Sequence, residues 1–206
     1  MPRTTEEKHE QMKVIRDELL VFTESPLYAY RTENNYFPVI GEGSLDAHVM
    51  FIGEAPGKNE AETAKPFCGR SGKLLDEMIA SIGLERKDVY ITNIVKDRPQ
   101  ENRDPTQEEI DLYAPFLDRQ IEIIEPRVIA TLGRFSMVYI MNRIGCSDKV
   151  KPIGEMHGTT CVAKTTYGNV TIVPLYHPAV ALYNGSNKAT LINDFQVLKQ
   201  YIYKSL

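Results

Sequence analysis

The stretch VMFIGEAPGKNEAETAKPFCGRSGKLLDEM, residues 49 to 78, decides how the rest of the chain is read. A short apolar run, Val49 to Ile52, ends in a turn built from Gly53, Pro56 and Gly57. Such a run, stopped by glycine, reads as a buried strand. Beyond it come Glu54, Glu60 and Glu62, then Lys65-Pro66-Phe67, then a second glycine-rich turn at Gly69 to Gly72 that opens a helix. That helix, GKLLDEMIASIGL, stops where Gly83 suits a left-handed cap. The same alternation returns downstream. DVYITNIV (88–95) and RVIATLG (127–133) read as strands, and RFSMVYIMNRI as the helix after the latter. TTCVAKTTYGNVTIVPLYHP reads as a hairpin turning at Tyr167-Gly168-Asn169, with its second arm buried. Thr106 and Glu109 form a capping box for the helix QEEIDLYAPFLDRQIEII, in which Pro115 predicts a kink. Helices are also expected over 5–23, where the spacing of Met12, Val14, Ile15, Leu19, Leu20 and Phe22 favours an amphipathic helix, and over 188–206. The turn-rich, aromatic segment 24–47 reads as irregular. Strands alternating with helices predict an α/β sandwich with a mostly parallel sheet.

The chain has 206 residues, which suits one domain. Residues 1–40 are expected as an N-terminal helix and irregular segment, and 41–206 as the core. Hydrophobic content of 42% and charged content of 25% are ordinary for a globular protein. The net charge of −4 does not announce a bulk-basic nucleic-acid binder. Local basic clusters do occur: Lys65, Arg70 and Lys73, then Lys96, Arg98 and Arg103, then Lys149 and Lys151. No apolar run is long enough for a bilayer and the N-terminus lacks a signal-like apolar core, so a cytoplasmic location is expected. Cys68, Cys146 and Cys161 follow no metal-binding spacing and are expected as free thiols.

In a parallel sheet, ligands sit outside the C-terminal ends of the strands. Here those ends carry GEAPG, TNIVKDRP, LGR and YHPA, so Glu54, Asn93 and His177 should converge on one crevice. Neither GEAPG nor GRSGKLL has the spacing of a dinucleotide or triphosphate loop. Amides at Gly69 to Lys73, opening a helix, remain able to hold a single phosphate. An asparagine inside a β-branched run must find partners. Asn93 either bonds neighbouring backbone or presents a donor and an acceptor to the edge of a planar base. Phe67 is either a core ring or a stacking platform for such a base.

The motifs GEAPGKNE (53–60), KPFCGRSGKLLDEM (65–78), VYITNIVKDRPQENRDP (89–105), LGRF (132–135) and YHPAVAL (176–182), in that order, resemble the uracil-DNA glycosylase superfamily, and most of all its family 4. The resemblance implies a three-layer α/β/α sandwich around a four-stranded, mostly parallel sheet. It also implies an enzyme that flips deoxyuridine out of DNA, hydrolyses its N-glycosidic bond and leaves an abasic site. Carried over, it makes Glu54, Glu60 and His177 the catalytic residues, and Phe67, Asn93 and Ala55 the uracil site. Gly57, Ser71 and Arg103 become DNA contacts, and Leu182 a wedge for the vacated stack. Ala55 stands where the best-known family has its catalytic aspartate, so water must be placed by the turn backbone, Glu54 or another carboxylate. The implied partners are uracil-containing DNA and free uracil as product, with the protein acting as a monomer and no membrane involved.

One departure is large. Family 4 holds a [4Fe–4S] cluster on four cysteines, two of them in the N-terminal region, one in a KCRP motif and one on the next helix. Segment 20–40 has no cysteine, the KCRP position is Asp97, and the helix position falls close to Tyr113. Three cysteines in all cannot supply four thiolates. No cofactor is therefore expected, and rings at Tyr28, Tyr30 and Tyr36 are expected to pack with Tyr113 in its place. A non-catalytic nucleic-acid-binding relative that keeps the pocket without turnover, or a small-molecule hydrolase using the same crevice, are the alternative readings.

Overall fold

The computed structural model describes residues 3–183, 185 and 187–202. One sheet holds β1 (Glu42–Gly43), β2 (Val49–Gly53), β3 (Tyr90–Asn93), β4 (Val128–Leu132), β5 (Cys161–Thr165) and β6 (Gly168–Leu175). Their order is β1-β3-β2-β4-β6-β5. β2, β3, β4 and β6 are parallel, while β1 and β5 pair antiparallel at the edges. The expected four parallel strands are thus the centre of a six-stranded sheet. β5 is the first arm of the expected hairpin. β1 is two residues long and offers no periodicity to read.

The helices are α1 (Thr5–Leu20), α2 (Tyr28–Glu33), α3 (Lys58–Thr63), α4 (Arg70–Ser81), α5 (Gln107–Ile124), α6 (Arg134–Ile144), α7 (Ile153–Met156), α8 (Val180–Tyr183), α9 (Asn187–Gln196) and α10 (Lys199–Ile202). β2 and β4 are buried along their whole length, which is why they read as continuous apolar runs. Their alternate residues serve two cores. Met50 and Ile52 pack with Ile15 and Leu19 of α1, Leu117 of α5 and Ile140 of α6. Val49 and Phe51 pack with Leu75 and Met78 of α4 and with Leu191 and Phe195 of α9. Burying each such side chain contributes about 1.5–3 kcal/mol, so the two apolar faces of the sheet impose the three layers.

The Thr106–Glu109 capping box is present, and α5 continues through Pro115 to Ile124. Segment 24–47 contains α2, which the sequence pattern did not indicate. The helix expected over 188–206 divides into α9 and α10, and its last four residues lie outside the described residues. The expectation of three free thiols is corrected: Cys146 and Cys161 form a disulfide, while Cys68 is free and exposed. β5 folds back beside the loop after α6, bringing the two Cα atoms to 6.8 Å. A separation of 15 residues gave no sign of that pairing.

Candidate active site

Strand register builds the site. Gly53 lies opposite Asn93, and Leu132 opposite Leu175. Beyond β3, Ile94 N–H donates to the Gly53 carbonyl (3.1 Å) and Val95 N–H to that of Glu54 (3.0 Å). Glu54, Asn93 and His177 are therefore delivered to the same end of the sheet. A cavity of about 420 Å³ opens there. Every residue singled out from sequence as a site residue lines it except Leu182: Glu54, Ala55, Gly57, Glu60, Phe67, Ser71, Asn93, Arg103 and His177. Leu182 sits exposed on α8, three residues beyond Ala179, which does line the cavity. Pro99, Asn102 and Asp104 also line it and were not singled out. The polar loop QENRDP was their only signal.

Asn93 is 1% exposed, and its Oδ1 is buried without a hydrogen-bond partner among the described residues. An orphaned buried acceptor is costly unless a ligand supplies the donor. A Cβ at Gly53 would lie 2.3 Å from that oxygen and 2.6 Å from the Phe67 ring, so only glycine lets the amide and the ring approach the strand end. Phe67 is 6% exposed and tilted 32° from the His177 ring, with centroids 5.6 Å apart. Its backbone sits at φ 48°, unusual for a non-glycine residue.

Glu60 holds that loop in place. Its Oε1 accepts from both Cys68 N–H and Gly69 N–H, each at 2.9 Å. The Gly69 amide, expected to be open to a phosphate, is thus already used. Arg103, expected on DNA, forms two bonds to the buried Glu109 carboxylate, at 2.8 and 2.6 Å, although its side chain remains 43% exposed.

His177 accepts from Ala179 N–H through Nδ1 at 3.2 Å. Burial pulls its pKa down to about 4, opposed by Glu60, so the ring is neutral at neutral pH. With Nδ1 accepting, the proton sits on Nε2, and the histidine is a donor there. Gly133, at φ +99°, passes 3.4 Å from the His177 Cβ, measured from where its own Cβ would be, and closes that wall. Burial lifts Glu54 to about 7, with the Asp104 charge adding and the Arg134 charge opposing. Arg134 itself is paired with Asp104 at 2.5 Å. A carboxyl group poised near neutrality can carry or release a proton under mild conditions.

The side chains at the expected cluster positions do not fit an iron–sulfur group. Asp97, fully buried, is held by Arg31 Nη1 at 3.1 and 3.0 Å to its two oxygens and by the Tyr113 hydroxyl at 2.5 Å. With its one proton on Asp97, the Tyr113 hydroxyl accepts from Ser25 Oγ at 2.8 Å. Arg31 also donates to the carbonyls of Leu19 (Nη1, 2.9 Å) and Leu20 (Nη2, 2.8 Å), at the end of α1. The expected packing of tyrosine rings on Tyr113 is corrected. The Tyr113 ring meets Phe22 and Phe116, Tyr28 lies against the Arg31 guanidinium, and Tyr30 pairs with Tyr36 beside Arg98. The Arg31–Asp97 ion pair, together with Phe22 edge-on to Tyr113 and Phe116, joins the N-terminal segment to the β3 loop and α5.

A model of the uracil DNA glycosylase superfamily matches residues 40–199. The chain is 42% identical to a Type-4 uracil-DNA glycosylase of Sulfurisphaera tokodaii over 192 residues, covering 93% of this chain and 84% of that protein. It is equally identical, over 93% of its length and 86% of the relative's, to one of Saccharolobus solfataricus. A Type-4 enzyme of Thermotoga maritima is 36% identical over 96% of this chain and 97% of its own.

Proposed function

The chain belongs to the uracil DNA glycosylase superfamily, and on that premise we propose that its crevice receives deoxyuridine turned out of DNA and hydrolyses the N-glycosidic bond, leaving an abasic site. The observation that carries this reading is the partnerless Asn93 Oδ1, buried in the wall of the cavity. The N3–H of uracil supplies the donor it lacks, and the amide NH₂ of Asn93 donates to O4. Cytosine turns a lone pair toward the same oxygen and a donor toward the NH₂, so it is refused twice. Phe67 stacks on the base. Glu60 clamps the Phe67 loop, and its side of the pocket is where a 5-methyl group is excluded. Ser71, Gly57 and Arg103 face the DNA backbone, and Leu182 fills the vacated stack.

Bond cleavage leaves the C1′–N1 electron pair on the base and positive charge on the sugar. His177, neutral and protonated on Nε2, donates to O2 as that oxygen gains charge. Glu54, as carboxylate, orients the water whose oxygen joins C1′ and takes up its proton. Ala55 contributes backbone only.

The test is excision on uracil-containing single-stranded and duplex DNA across a pH series. Abasic product is expected, with a rate that rises as pH passes about 7, where Glu54 releases its proton, and then levels. Glu54→Gln is expected to remove that step and lower the rate. Because the folded-state pKa of Glu54 is raised above its ordinary 4.5, the wild-type fold loses stability between those values as pH rises. Glu54→Gln is therefore expected to melt higher than wild type at pH 8, as roughly neutral conditions leave the native carboxylate poorly solvated. DNA retention without product would reject the enzyme reading. A rate independent of pH from 5 to 9, to take a range of about two units either side of the poised group, would reject the role of Glu54.

We further infer that the protein works without an iron–sulfur cluster. Supporting this are the three cysteines of the sequence, two of them joined to each other, and the Arg31–Asp97–Tyr113 network at the expected ligand positions. Iron and acid-labile sulfide measured on freshly purified protein are expected near zero per chain. Stoichiometric iron overturns the inference.

A further inference from the structure

Lys96 lies three residues beyond β3 and is completely buried. No carboxylate pairs with it among the described residues. Instead Nζ reaches three oxygens: Thr92 Oγ1 at 2.7 Å, the Asn93 carbonyl at 2.6 Å and Gln120 Oε1 at 2.6 Å. Two of these acceptors are oriented by one backbone group. The Thr92 hydroxyl donates to the Ile40 carbonyl at 2.7 Å, and Gln120 Nε2 donates to the same oxygen at 2.9 Å. Thr92 and Gln120 thereby turn their acceptor sides toward Lys96. Three acceptors match the three N–H groups of an ammonium, whereas a neutral amine would turn its lone pair on an oxygen. Burial pulls the Lys96 pKa well below its ordinary value, and three oxygens within 2.7 Å of Nζ are what favours the charged form against it. The neighbouring Asp97 gives no neutralisation, being engaged by Arg31.

The Lys96 cage touches the proposed uracil site at one residue. The carbonyl that Nζ grips belongs to Asn93, whose amide lines the cavity. We propose that Lys96 is a positioning residue for base release. It locks the Asn93 main chain against Gln120 of α5, and it keeps an uncompensated positive charge behind the base as the base becomes an anion. Inside a protein a charge without a counter-charge acts over a longer range than in water, so it favours the transition state over the neutral bound base. Nothing is added to the chemistry: the C1′–N1 pair still leaves on the base and water still supplies the hydroxyl. The proposal rests on the glycosylase reading.

Two measurements test it. Lys96→Met is compared with wild type in single-turnover excision of uracil and of 5-fluorouracil, whose N1 is more acidic and which needs less help to leave. The uracil rate is expected to fall by about tenfold or more. The deficit on 5-fluorouracil should be at least threefold smaller. Equal deficits on both bases, or no deficit, overturn the proposal, because a merely structural loss slows both alike. Wild-type protein labelled with ¹⁵N at lysine Nζ supplies the second measurement and needs no variant to fold. A protonated Lys96 signal is expected, and it should move as free uracil is titrated in. A neutral amine, or a signal indifferent to uracil, overturns the proposal even if Lys96→Met does not fold. Wild-type protein that binds uracil but excises none rejects the glycosylase reading and the base-release role with it, whereas a neutral or indifferent Lys96 in protein that does excise uracil rejects the Lys96 role alone.

Discussion

Asn93→Ala is expected to lower uracil excision by about 10²–10³-fold, and His177→Ala by a similar factor, with the fold intact in both. The two losses should differ in kind. Asn93 meets the base in its neutral, bound form, so its removal raises KM as well as lowering kcat. His177 donates to an oxygen that becomes strongly basic only as the bond breaks, so its removal lowers kcat with little change in KM. The structure explains why each residue is hard to replace. Asn93 Oδ1 has no partner among the described residues, so its cost of burial is recovered only when base is bound. His177 is fixed as the Nε2–H tautomer by Ala179 N–H and is neutral down to about pH 4. It therefore needs no protonation step in the working range. Steady-state kinetics on a uracil-containing oligonucleotide, with circular dichroism as a control for folding, gives the answer. A variant within threefold of wild type, against the two orders expected, would remove that residue from the mechanism.

Asp97→Ala is expected to destabilise the protein by about 3–5 kcal/mol, because it leaves a buried guanidinium uncompensated. For a chain of this size that corresponds to a fall in Tm of about 6–20 °C. The Arg31 and Asp97 side chains are 5% and 0% exposed, so solvent does not screen the loss. Arg31 would keep its bonds to Leu19 and Leu20, but Tyr113 would lose its short bond to the carboxylate. Arg31→Met is expected to cost a similar amount, since it strands the carboxylate instead. The double variant should cost much less than the sum of the two, which identifies the pair itself as the source. Neither residue lines the cavity, so the excision rate per folded molecule is expected to change far less than stability. Thermal and denaturant melts of the three variants check this. A cost below about 1 kcal/mol for Asp97→Ala, a surface-like value, would show that the ion pair is not what pins the N-terminal segment.

Much of the site was legible before any fold was known, because its residues stand at strand ends. Val49 to Gly53 and Val128 to Gly133 announce their own termini, since an apolar run and the glycine that stops it lie within a few positions of each other. Once those ends are placed on a parallel sheet, Glu54, Asn93 and His177 must face the same crevice. The roles within the crevice were less legible. Glu60 appears in sequence as an acid beside a turn, yet it spends one oxygen on two loop amides. Asp104 and Arg134, which bracket Glu54, come from a loop and a helix 30 residues apart. Arg103 is expected as a DNA contact and is also held by Glu109.

Local pattern settled the four parallel strands, their alternation with the main helices and the end of the sheet where a ligand sits. It did so because backbone propensity and apolar periodicity act over one or two turns. The cysteine count alone also excluded four thiolate ligands. What filled the space was decided only in three dimensions. Arg31 and Asp97 are 66 residues apart, and Lys96 and Gln120 are 24 apart. Whether a buried charge finds an opposite charge, a cage of neutral oxygens or nothing depends on side-chain direction and depth. Those are properties of packed elements, which no window of sequence contains.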